Sequence, residues 1–325
     1  MRAVTIKALE KFWSITQMPM DEDNKTIVAR SFAYIGHILT KRESLVQSGE
    51  QTFELSKNPE FNLYLHNPLK ALSKAYRLRS NDISVLNRYG ISLWNRSIAM
   101  KNCNDMHQKL KYLEDANHIL SKSINVDSDR NWFAYTTRMQ VGLHIADIVI
   151  NHNQDKAKTS LENAKKDGHI SSKSKNTRRN VTVLAETCQK LAKFPNLRNY
   201  GPEFVKTEHY LHEALDYLFD ATHSGDPIDY HWTSRISFCL FNLGEYEKAI
   251  EWQRKSWPLS ASSNSNSFYM LCIYMLTRYA KDDNLKTSME PFLREFLYIL
   301  TYGKNKYKKT SKAYTNRGLM KFANY

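Results

Sequence analysis

Apolar residues recur at three- and four-residue intervals along most of this chain, the period of a helix that buries one stripe. The pattern is plainest over 230–259. There Thr233, Ile236, Leu240, Tyr246 and Ile250 occupy positions suited to the space between two packed helices. Ser237 and Ala249 are small residues where those helices would cross. Asn242-Leu243-Gly244 reads as the tight turn between them, with Gly244 supplying the backbone freedom a turn needs. Similar leading helices are predicted at 29–39, with Phe32, Ile35, Gly36 and Leu39, and at 86–93, with Gly90 as the small residue. Trailing helices are predicted at Pro68–Leu78 and 112–126. Further helices are expected at 132–145, 155–166, 176–193, 204–219, 268–279, 289–300 and 312–322. Asp167-Gly168 reads as a helix end, 171–175 as a polar loop, and 50–66 and 97–108 as long connectors.

The order Gly244, Tyr246, Ala249-Ile250 resembles the tetratricopeptide repeat, a helix–turn–helix unit of about 34 residues. The expected architecture is therefore all-α: a TPR-like helical-repeat superhelix (an α-solenoid) with irregular insertions. Leading helices begin near 29, 83, 131, 230, 265 and 311, and only the step from 230 to 265 keeps the family period. The chain reads as one array over 1–325. Its clearest repeats are 29–82, 83–128 and 230–263, with another at 265–303 and a partial one at 311–325. Nothing after Tyr325 would cover that last helix, so either the sequence is a piece of a longer protein or another element covers that end. The string Asn131-Trp132-Phe133-Ala134-Tyr135-Thr136-Thr137-Arg138, with Leu86-Asn87-Arg88, resembles the tetratricopeptide repeat protein 22 family over about 29–218. That resemblance implies a cytosolic repeat protein and carries over no catalytic residue.

Composition agrees with helices. Only 10 Gly and 8 Pro occur in 325 residues, so breakers are scarce. Cys103, Cys188, Cys239 and Cys272 show no paired spacing, which predicts free thiols in a reducing, cytoplasmic setting. The N-terminus carries a charge every few residues, unlike a signal peptide, and no apolar run is long enough to span a membrane.

The net charge of +14 changes the list of partners. A basic surface attracts nucleic acid, anionic lipid or acidic protein. Lys173, Lys175, Arg178 and Arg179 form one basic group, and seven basic residues without an acidic one lie over 304–321. A solvated basic face with no particular partner accounts for the same charge.

No Gly-rich phosphate loop or Gly-x-Ser-x-Gly elbow is present. His209 and His212 share a helix face, near His223 and His231, but fit no standard zinc spacing. Neither a cofactor, a metal nor a small-molecule substrate is therefore expected, and the chain reads as non-enzymatic. The expected function is a scaffold holding a peptide or protein in its groove. The groove candidates are Arg30, His37, Asn87, Asn95, His231, Ser234, Phe238 and Asn242. The alternative is an RNA-binding array with a basic groove.

Overall fold

The computed structural model describes residues 3–41, 57–100, 105–175, 177–195, 207–220, 230–245, 248–249 and 251–252. Among the described residues there are eleven helices and no strand. They are α1 (Ala3–Thr16), α2 (Glu22–Lys41), α3 (Pro59–His66), α4 (Pro68–Leu78), α5 (Ile83–Ala99) and α6 (Met106–Val126), then α7 (Trp132–Val149), α8 (Gln154–Ser174), α9 (Arg178–Lys193), α10 (His209–Asp220) and α11 (Tyr230–Asn242). This part of the chain is all-α, as expected. The helices predicted at 268–279, 289–300 and 312–322, the basic run at 304–321, Cys103 and Cys272 lie outside the described residues. Packing divides the chain into two units, Met1–Leu184 and Ala185–Tyr325, with the division inside α9.

In the first unit, α2 packs on α4, α5 on α6, and α7 on α8. Consecutive leading helices also touch, α2 on α5 and α5 on α7. Each trailing helix meets the next leading one, α4 against α5 and α6 against α7. The helix starts are marked in the sequence. Asp82 Oδ1 accepts from the Val85 amide at 3.0 Å and caps α5, and Asn153 Oδ1 accepts from the Lys156 amide at 2.9 Å and caps α8. The pairs close tightly because glycines face their partners. A Cβ on Gly36 would lie 2.6 Å from Leu72 Cγ and 2.8 Å from the Pro68 carbonyl oxygen, and one on Gly90 would lie 2.6 Å from Leu120 Cγ. Leu72 and Leu120 fill that space and are fully buried, each contributing about 1.5–3 kcal/mol through burial.

Three expectations are corrected. Residues 59–66 are a helix, α3, not a connector. Asn58 caps it through the Phe61 amide at 3.0 Å, Pro59 opens it, and its Phe61 and Tyr64 join a core with Trp13 and Phe32. Gly168 does not end a helix: α8 continues to Ser174, and the missing Cβ lets Leu184 and Met139 come close. The connector predicted over 97–108 is short, since α5 reaches Ala99 and α6 begins at Met106.

Polar side chains tie the leading helices together. Arg30 on α2 forms an ion pair with Asp82 at 2.8 Å. Asn87 on α5 donates to Asn131 at 2.9 Å, Asn131 donates to Ser123 on α6 at 2.9 Å, and Ser123 donates to Asn87 at 2.7 Å. These three form a closed ring in which each side chain donates once and accepts once. Thr136 on α7 lies 2.6 Å from Ser171 and 2.9 Å from Asn180, which sits near the start of α9. The sequence separations nearly coincide: 36 and 44 residues in the first triad, 35 and 44 in the second. Asn87 and Thr136 are each the fifth residue of their helix. One junction spacing thus occurs twice, with the Asn180 side-chain amide donating to the Lys175 carbonyl at 2.9 Å in the second.

In the second unit, α10 packs on α11 and buries Leu211, Ala214, Leu215 and Leu218 as a stripe. At the end of α11 the Glu245 amide bonds to the Leu240 carbonyl at 2.9 Å and the Gly244 amide to the Phe241 carbonyl at 3.1 Å. Gly244 has φ +80°. This is a Schellman ending, in which glycine takes the left-handed position. Beyond it, Ser237 Oγ donates to the Ala249 carbonyl at 2.7 Å, where the two helices were expected to cross.

Candidate binding face

The eight groove candidates fall into two groups, one per unit. Arg30, His37, Asn87 and Asn95 lie on α2 and α5; His231, Ser234, Phe238 and Asn242 lie on α11. The side chain of His231 is outside the described residues.

On α2, Arg30 is engaged with Asp82, which also caps α5. His37 Nδ1 lies 3.2 Å from Ser92 Oγ. Burial drives the His37 pKa down to about 4, and the charges of Lys41 and Arg88 push the same way. His37 is therefore neutral at physiological pH and can both donate and accept. Beside it, the Arg88 guanidinium stacks 3.6 Å above the Tyr34 ring, whose other stacking partner is Phe12 at 4.6 Å. Arg88 also donates to the Ser84 carbonyl at 3.0 Å. Neither Tyr34 nor Arg88 was among the groove candidates, although an aromatic and an arginine on neighbouring leading helices are the signal for such a stack.

On α5, Asn87 is engaged in the ring with Ser123 and Asn131. Asn95 is half-buried, and its Nδ2 has no hydrogen-bond partner in the structure. The neighbouring Trp94 Nε1 is likewise buried without a partner, and the indole packs 6.1 Å from the His144 ring of α7. Two adjacent donors thus stand unmatched on one turn of α5. A buried donor without an acceptor costs about 1–3 kcal/mol, and burial of both atoms means that an outside acceptor reaches them only after the side chain turns outward.

On α11, Ser234, Phe238 and Asn242 follow one stripe at four-residue steps. Phe238 is buried, with the Lys193 ammonium 4.1 Å from its ring centre. Asn242 donates to the Phe238 carbonyl at 2.7 Å, while its Oδ1 and the Ser234 Oγ lack partners. Alongside, Arg235 and Gln189 bond reciprocally, each 3.1 Å from the other's oxygen acceptor, and Arg235 pairs with Glu186. Burial pushes the Cys239 thiol up to about 12, so it stays protonated and packs as a small apolar group.

Among the described residues no group of three or more His, Cys, Asp or Glu side chains could hold a metal. His209 packs against the Tyr210 ring at 4.1 Å. No described helix is long and apolar enough to cross a membrane. No protein-family model matches the chain, and no curated protein matches it.

Proposed function

We propose that the chain is a tetratricopeptide-like array acting as a non-enzymatic scaffold, which holds an extended peptide segment of a partner protein along its leading helices. The observation that carries this reading is the succession α2, α5, α7, each backed by its own trailing helix, with polar ties of equal sequence separation joining α5 to the start of α7 and α7 to α9. Such stacking produces an extended surface suited to a partner. The unmatched groups fit the same reading. In the first unit, Trp94 Nε1 and Asn95 Nδ2 on α5 can donate, the polarity that a peptide carbonyl offers in return. The thiols of Cys188 and Cys239 are buried and outside any disulfide, which suits a reducing cytoplasm.

RNA is the weaker reading. Arg30 and Arg88 on the leading helices are engaged, Arg30 by Asp82 and Arg88 by the Tyr34 ring and the Ser84 carbonyl. Of the 47 basic residues, 13 lie after Trp252, together with only 4 of the 33 acidic ones, so much of the net charge is remote from these helices in sequence.

A displayed peptide library selected on the full chain tests the proposal. Selected peptides should compete with one another and lose about tenfold in affinity on Asn95→Ala. Failure to enrich any peptide, or indifference of all selected peptides to substitution of Asn95, overturns it. Filter binding of RNA at two salt concentrations tests the other reading, because phosphate contacts weaken steeply with salt. No binding at low salt removes RNA.

A further inference from the structure

A cleft of about 500 Å³ opens among α6, α7 and α8. Arg138 and Tyr135 of α7, Asn117 and Ser121 of α6, and Asn163, Lys166 and Asp167 of α8 line it. Arg138 is held there by a forked contact, Nε to Asp167 Oδ2 at 2.8 Å and Nη2 to Oδ1 at 2.6 Å. Its Nη1 donates to Ser121 Oγ at 2.9 Å. The Tyr135 ring lies 5.7 Å from the guanidinium carbon.

A guanidinium carries five N–H groups, and these contacts take three. The remaining two belong to Nη1 and Nη2, one on each, in a group whose side chain retains 23% exposure and lines the open space. Asp167 is almost wholly buried. It is also the only acidic residue in the lining, and its charge is balanced by Arg138. Lys166 therefore leaves the cleft net positive. Asn117 and Asn163 are exposed and add amide donors. The rigid fork, the second cation and the amides match the oxygens of an anion, and Tyr135 and Ile170 provide wall for a carbon frame.

We propose that this cleft binds a small oxyanion-bearing ligand, a carboxylate or a phosphate whose oxygens take the two remaining Arg138 N–H groups and the Lys166 ammonium. This site draws on α6 and α8 as well as α7 and does not depend on the peptide-binding reading. The volume lies within the range of small-molecule sites.

The test uses the full chain labelled with ¹⁵N, titrated separately with sodium succinate and inorganic phosphate, with sodium chloride at matched ionic strength as the control. Saturable shifts confined to amides of 117–121, 135–145 and 160–170, with α2 unmoved, are expected in at least one titration. Response to succinate alone identifies a carboxylate ligand, response to phosphate alone a phosphate, and response to both an oxyanion site tolerant of either. Lys166→Gln changes an exposed side chain and should raise Kd about tenfold. Arg138→Lys, if folded, should abolish saturation; if it unfolds, Lys166→Gln decides. No saturable shift in either titration, shifts reproduced by sodium chloride, or an unchanged Kd in Lys166→Gln overturns the proposal.

Discussion

The α2/α5 and α5/α7 junctions join leading helices with different chemistry. The first uses an ion pair whose Arg30 side chain is 51% exposed, together with the Tyr34–Arg88 stack and the His37–Ser92 contact. The second uses a ring of neutral side chains in which Asn131 and Ser123 are buried. An exposed ion pair contributes little beyond what water offers, whereas a buried neutral network fixes geometry and is costly to leave half-made. The second junction should therefore dominate stability, and the first should respond more to salt and pH.

Asn131→Ala should have the largest effect. It removes the α7 cap and takes one partner each from Asn87 and Ser123, which keep only the bond between them, so a loss of about 3 kcal/mol is expected in chemical denaturation. A loss under about 1 kcal/mol would show that the ring adds nothing beyond the cap. Next comes pH at the first junction. His37 has a pKa of about 4 when folded against 6.5 unfolded, so the unfolded chain binds more protons between these values. The His37 contribution to stability should fall as pH drops from 6.5 toward 4 and level off below. Allowing for partial exposure, that fall is about 2 kcal/mol. The measurement is the difference between wild type and His37→Gln across this window, and parallel curves would refute the assignment. Thr136→Val, which breaks the second copy of the triad while keeping volume, should cost about 1–2 kcal/mol. Arg30→Ala should cost under about 1 kcal/mol, and the cost should shrink in high salt. A larger or salt-independent loss would place the first junction on a par with the second.

The sequence made local geometry readable. Gly36 and Gly90 stood out because only a residue without Cβ fits so close to Leu72 and Leu120. The Ser237–Ala249 crossing and the Gly244 turn followed from spacing within one hairpin. What lay across a helix face did not follow. Helical period puts Arg30 and Asn87 each on the stripe of its own helix expected to face the groove, but their partners Asp82 and Asn131 are 52 and 44 residues away. A stripe facing a neighbour's cap reads the same as one facing water. Likewise α3 has eight residues, too few for periodicity to declare it, and Gly168 was read by its local signal although a packing contact decides its place. The Arg138 cleft was invisible for the same reason, since its walls come from three helices.

The Asn87–Asn131–Ser123 ring also bears on how the chain comes apart. In stacked helical hairpins each unit is coupled only to its neighbours, and weak coupling lets them open one at a time. A cycle in which every side chain gives and receives one hydrogen bond loses two of its three bonds with any one member, and its members sit on α5, on α6 and at the start of α7. Opening either hairpin alone breaks it. Backbone amides of α5 and α7 should therefore exchange with deuterium at a common rate in the intact chain and at separate rates once the ring is cut.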